Sequence, residues 1–263
     1  MSVLCYHRIG GPLELGVTRV GRSVFARQMS ALARDGWRTL TLSEFATSRT
    51  THDARRTFLL TFDDGYASLA THAYPVLADL GFTATTFLVT DYVGKTNAWD
   101  VRYTWNRLRH LDWSDVEQWQ EKGFQFASHG ATHRRLTWLD DSAALEELGR
   151  SREILTSRLG VEAGRAIAYP YGAVNQRIAR HARAVGYELG FGGVKGNGDA
   201  LRLSRVPVYC WDVGSVPFGL RSGGIGALGR LVAHAANRCA VGTTLMQAIT
   251  RKTVPLPESV ADA

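Results

Sequence analysis

Short apolar runs alternate with amphipathic stretches along most of this chain, and five of those stretches stop at a glycine. The runs at 3–6, 58–62, 84–89, 124–127 and 166–169 are rich in β-branched or aromatic residues, as expected of strands buried on both faces. The intervening segments 23–34, 66–80, 115–122, 142–159 and 176–185 read as helices that end at Gly36, Gly81, Gly123, Gly160 and Gly186. Glycine takes the left-handed conformation that closes a helix without a Cβ penalty. Strictly alternating strands and helices leave two architectures, a (β/α) barrel or an open doubly wound sheet.

Polar residues at the strand ends favour the barrel. His7, Asp63-Asp64, His129 and Tyr171 each follow an apolar run, so four strands contribute to one face. An open sheet gathers residues only near its switch point, whereas a barrel converges all of its C-terminal strand ends. A length of 263 residues suits one such domain spanning 1–263. The pattern weakens after residue 213, where 219–226 reads as a loop and 225–236 as a final helix.

Three clusters carry chemistry. In Thr-Phe-Asp-Asp-Gly (61–65), adjacent carboxylates leave a strand in different directions, so one can bind a metal while the other faces a substrate. On its own the tripeptide reads equally as a helix-capping turn. Ser-His-Gly-Ala-Thr-His (128–133) spaces two histidines i, i+4, which on a helical turn puts both imidazoles on one face. Two histidines and one carboxylate would leave a coordination position open, as in catalytic zinc-type sites. Tyr-Pro-Tyr-Gly (169–172) fixes an irregular backbone that can aim an N–H at an oxyanion, though it is also an ordinary turn sequence.

In order and content these clusters resemble the motifs of the polysaccharide deacetylase family, the NodB-like domain of carbohydrate esterase family four, over about residues 3–212. The resemblance implies a distorted (β/α) barrel, a divalent metal (usually zinc, with cobalt or nickel as alternatives) and hydrolysis of N-acetyl groups on an amino sugar. It casts Asp63 as general base, Asp64, His129 and His133 as metal ligands, and the Tyr171 backbone N–H as oxyanion donor. Ala168 stands where much of the family has an arginine that orients the catalytic aspartate. Leu4-Cys5-Tyr6-His7 is similar to the start of the branch that deacetylates poly-N-acetylglucosamine, in which motif order is permuted and an early histidine supplies the acid. The acid role therefore falls to His7, with His234 as the alternative. Arg205 and Trp211-Asp212 lie where a fourth motif is expected, as substrate contacts or as supports for Asp63 or His7. Trp99 resembles part of a substrate loop, core burial being the other reading.

Composition excludes less than the motifs suggest. A formal charge of +7 from 31 basic and 24 acidic residues lacks the clustered arginines and interleaved aromatics of a nucleic-acid binder, and reads as solvated surface favouring an anionic substrate. Cys5, Cys210 and Cys239 form neither a disulfide framework nor a paired zinc-ligand spacing. No signal-peptide succession and no stretch of ~18 apolar residues is present, which sets the expectation of a cytoplasmic protein without membrane insertion. Two rival readings remain: a non-catalytic carbohydrate-binding relative, supported by Ala168, and a thiol hydrolase built on Cys5 and His7.

Overall fold

The computed structural model describes residues 1–12, 17–51, 56–98, 108–194, 196 and 198–221. In chain order its elements are β1 (Ser2–Tyr6), β2 (Arg8–Ile9), β3 (Arg19–Val20), α1 (Arg22–Arg34), β4 (Arg38–Thr39), α2 (Leu42–Thr51), β5 (Thr57–Phe62), α3 (Ser68–His72), α4 (Tyr74–Asp79), β6 (Thr85–Leu88), α5 (Trp113–Glu121), β7 (Gln125–Ser128), α6 (Asp141–Leu159), β8 (Ala166–Ala168), α7 (Gln176–Val185), β9 (Leu189–Phe191) and β10 (Val206–Pro207). The curled sheet runs β10-β1-β5-β6-β7-β8-β9, all parallel, with β4 alongside the start of β5. Its two edges are joined by one stretch of chain: Leu203 pairs with Phe191 of β9, and three residues later the same segment pairs with β1 as β10. The result is a distorted (β/α) barrel, the one of the two architectures allowed by the alternation that the polar strand ends favour.

Strand periodicity sorts the side chains. On β5, Phe58, Leu60 and Phe62 point outward into a cluster with Phe25 and Met29 of α1 and Tyr74 and Leu77 of α4. Leu59 points inward, with Val3, Phe87, Ala127, Ala166, Ala168 and Phe191 from the neighbouring strands. Phe87 and Phe191 approach to 5.5 Å between ring centroids inside the sheet's curl. Each fully buried ring contributes roughly 1.5–3 kcal/mol, so the fold rests on both faces of the sheet at once. The same period of two, continued past the strand ends, turns His7 after Cys5, Asp63 after Thr61 and His129 after Ala127 toward the barrel mouth.

All five helix-closing glycines have positive φ, from 68° at Gly81 to 105° at Gly186. The predicted helix at 66–80 is instead two short ones, α3 and α4, parted at Ala73. Pro75 explains the break, because its ring clashes with the carbonyl four residues earlier and it has no N–H to continue the ladder. Helix α2 and strands β4, β9 and β10 escape the sequence reading, since each is either weakly amphipathic or only two or three residues long. The helix expected at 225–236 lies outside the described residues, as do Trp99 and His234. Among the described residues no helix is long and apolar enough to cross a membrane.

Candidate metal centre

Asp63 continues the β5–β1 pairing, its N–H donating to Tyr6 O at 2.9 Å, and the chain then turns sharply. Asp64 and Gly65 both adopt left-handed φ, 69° and 66°. A Cβ on Gly65 would meet Leu88 Cδ2 at 2.6 Å, so the left-handed φ and the close approach both favour glycine at position 65. The turn sends the two carboxylates to different partners. His110 holds it from outside: Nδ1 donates to the Asp64 carbonyl at 2.7 Å, while the ring stacks on Tyr66 at 5.0 Å. Burial lowers the pKa of His110 to about 4, so it is a neutral imidazole in this role.

Asp64 Oδ1 lies 3.4 Å from His129 Nε2 and 3.3 Å from His133 Nε2, and the three side chains are buried. That carboxylate oxygen accepts no hydrogen bond. His129 donates Nδ1–H to the Ala168 carbonyl at 2.7 Å, which leaves the Nε2 lone pair aimed at Asp64. Metal bonds of about 2.0–2.1 Å in a tetrahedron put neighbouring ligands about 3.3–3.4 Å apart. The donor set, the orphaned oxygen and the spacing therefore fit a divalent cation. Burial disfavours the charged form of Asp64, yet His129 and His133 hold its carboxyl well below the usual range. Burial likewise pushes His133 down, whereas Asp63 and Asp64 outweigh it at His129 and raise that group.

The histidine pair does not sit on a helical turn. Gly130 at φ 80° and His133 at φ 60° fold residues 129–133 into a loop that brings the two rings to 5.0 Å. Glu147 of α6, buried and absent from the sequence reading as a site residue, braces it: Oε2 accepts from the N–H groups of Ala131 (3.1 Å) and Thr132 (3.0 Å), and Oε1 from the Thr132 hydroxyl. On the other side, the N–H groups of Thr90 and Asp91 donate to the carbonyls of Gly130 and Ala131.

Of the two roles the sequence leaves open for Arg205, the geometry favours the support of Asp63. Its guanidinium is buried and forks onto Asp63, Nη1 to Oδ1 at 2.6 Å and Nη2 to Oδ2 at 2.7 Å, while Nε donates to the Gly192 carbonyl. It lies over the ring of inward-facing Phe87. The barrel mouth faced by Ala168 is thus supplied with an arginine from another part of the chain. Burial opposes ionisation of Asp63, but Arg205 and then His129 bring its pKa to about 2.

His7 presents a ring nitrogen within 4.8 Å of Asp63 and Cys5. The Cys5 thiol donates to Asp63 Oδ2 at 3.4 Å, and burial pushes its pKa well up, the reverse of what a nucleophilic thiolate needs. Tyr171, at φ 61°, packs edge-on against His133 at 4.8 Å. Three of the four non-glycine residues with positive φ among those described, Asp64, His133 and Tyr171, therefore meet at this one site, where such strain is characteristically stored. Trp211 is partly exposed, its ring tilted against that of Tyr209 at 4.8 Å. Its neighbour Asp212 is buried and accepts from Phe218 N and Arg221.

Comparison with known proteins follows the same lines. A family model described as polysaccharide deacetylase matches residues 50–190. The Bacillus subtilis (strain 168) protein YxkH is 28% identical over 193 residues, covering 72% of this chain and 63% of that protein, so the match spans less than two thirds of the relative's length. A poly-beta-1,6-N-acetyl-D-glucosamine N-deacetylase of Staphylococcus epidermidis is 27% identical over 216 residues, covering 76% of this chain and 71% of that one. In fold, the Streptococcus pyogenes deacetylase PplD superposes with a TM-score of 0.71 at 22% identity, covering 81% of this chain and 93% of PplD.

Proposed function

Because this chain belongs to the polysaccharide deacetylase family, we propose that it is a metal-dependent hydrolase that removes the acetyl group from the nitrogen of an N-acetylated amino sugar. The observation that carries this reading is the convergence of Asp64, His129 and His133 on one point beside an ionised, arginine-held Asp63. The metal held by those three residues is proposed to be zinc, with cobalt or nickel as working substitutes. When bound, such an ion polarises the amide carbonyl and lowers the pKa of water toward ~7.

The chain's own groups supply the rest. Asp63 takes a proton from the water that attacks the amide carbon, and Arg205 keeps its carboxylate fixed while it does so. The Tyr171 backbone N–H is assigned to the developing oxyanion, a type of contact worth about 3–4 kcal/mol when removed. His7 gives a proton to the departing amine, which leaves poorly unless protonated as the C–N bond breaks. The non-catalytic alternative rested on Ala168 and loses that support, because Arg205 already grips Asp63.

Acetate release from N-acetylglucosamine oligomers tests the proposal. Purified protein should release acetate, stop when a chelator strips the metal, and recover when zinc is restored. Release that persists unchanged after complete metal removal, or none from any N-acetyl sugar by the metal-loaded protein, overturns it.

A further inference from the structure

Two residues beyond His133, the chain places a half-buried arginine, Arg135, that has no carboxylate partner among the described residues. Several arginines of this protein meet carboxylates: Arg150 with Asp91, Arg165 with Glu188, Arg177 with Asp141 and Arg205 with Asp63. The Arg135 side chain has no hydrogen-bond or ion-pair partner among the described residues, and its Nε is enclosed without an acceptor. Its guanidinium lies 5.1 Å from the ring centre of Trp138, and His133, two residues earlier, packs against the ring of Tyr171. Trp138 is 55% exposed, because fully buried Leu136 anchors the single turn Leu136–Trp138 and leaves the indole outside. A half-buried cation without a counter-ion is costly, and an exposed indole beside it adds an apolar plate of sugar-ring size.

We propose that Arg135 and Trp138 form a subsite for an anionic saccharide, with a carboxylate or phosphate of the sugar on the guanidinium and the apolar face of a sugar ring on the indole. The placement of this subsite beside the reacting amide rests on the deacetylase reading; its binding chemistry does not. Recognition of charge here is a matter of one guanidinium, distinct from the diffuse positive charge of the whole surface.

Three probes separate the possibilities: N-acetylglucosamine, its 6-phosphate, and N-acetylmuramic acid, which carries a carboxylate. Equilibrium titration of each into the zinc-loaded protein reads binding whether or not acetate is released, and steady-state kinetics on the same sugars reads KM and kcat separately. The two anionic sugars, or one of them, should bind more tightly than the neutral one, and the tighter of the two identifies the group recognised. Arg135→Gln should cost about tenfold in Kd and KM for the anionic sugar while leaving kcat and the neutral sugar within twofold. Arg135→Lys should recover part of that loss, and Trp138→Ala should weaken all three sugars alike. Arg134→Gln, which changes the neighbouring exposed charge, should change none of them. Equal affinity for neutral and anionic sugars, or an Arg134→Gln effect as large as that of Arg135→Gln, overturns the subsite. Selective binding without acetate release would leave the subsite standing and overturn only the deacetylase reading.

Discussion

Arg205 grips Asp63 through both of its terminal nitrogens, at 2.6 and 2.7 Å, across 142 residues of sequence. Both partners are buried, so neither can exchange the other for water. Removing one leaves an uncompensated charge, which costs about 3–5 kcal/mol. Arg205→Met should therefore lower stability by that order. It should also cut kcat by about 100-fold with KM little changed, because Asp63 loses both its aim and the cation that favours its ionised form. Arg205→Lys, with a point charge in place of the fork, should fall between. Kinetics and urea unfolding on the two variants check this; equal kcat for Met and wild type would remove Arg205 from the positioning role.

The same pair sets a pH dependence in the metal-free protein. Asp63 sits at about 2 in the fold, below the ordinary value of ~3.9. A depressed folded value stabilises above the unfolded pKa, so the pair contributes fully above about pH 4 and fades as pH falls toward 2. In Arg205→Met the sign reverses, since burial without a cation raises the carboxyl and acidification then favours the fold. The stability gap between wild type and variant should narrow from pH 6 to pH 3 in urea titrations; a gap that stays constant contradicts the assignment.

Glu147 touches no substrate in this account, yet it accepts three donors from the loop carrying His133. Glu147→Gln cannot accept from all three with the same oxygens, and the loop should loosen. Zinc affinity, measured by competition with a chromophoric chelator, should drop about 10–100-fold, with circular dichroism unchanged. Unaltered affinity would reduce Glu147 to a packing residue.

Cys5 lies beside Asp63 without the properties of a nucleophile. With its pKa pushed well above 9 by burial, the thiol stays protonated through mildly alkaline pH, whereas Cys210 is exposed. Iodoacetamide at pH 8 followed by peptide mapping should label Cys210 and spare Cys5, with acetate release retained. Rapid labelling of Cys5 with matching loss of activity would revive the thiol mechanism.

Much of the site was legible because strand parity survives past strand ends. Val3, Cys5 and His7 form one such series and Leu59, Thr61 and Asp63 another, and both converge where the residue pattern said they would. The meeting of Asp64, His129 and His133 is readable from two motifs with no knowledge of the loop that joins them. The helical turn was misjudged although Gly130, inside the histidine spacing, already permits the left-handed bend. The sequence names Arg205 without choosing between its two roles, and it does not mark Glu147 as a site residue at all. A single arginine and a helical glutamate carry no local pattern, and their partners are 142 and 15–16 residues away in sequence. Pro75, by contrast, was a visible signal for the break between α3 and α4.

The most direct test is an anomalous difference map from a crystal soaked in zinc. One strong peak is predicted per chain, within about 2.0–2.2 Å of Asp64 Oδ1, His129 Nε2 and His133 Nε2, with Asp63 left on Arg205. A soaked crystal with no peak there, or with zinc held instead by Cys5, His7 and Asp63, would contradict the account at its centre.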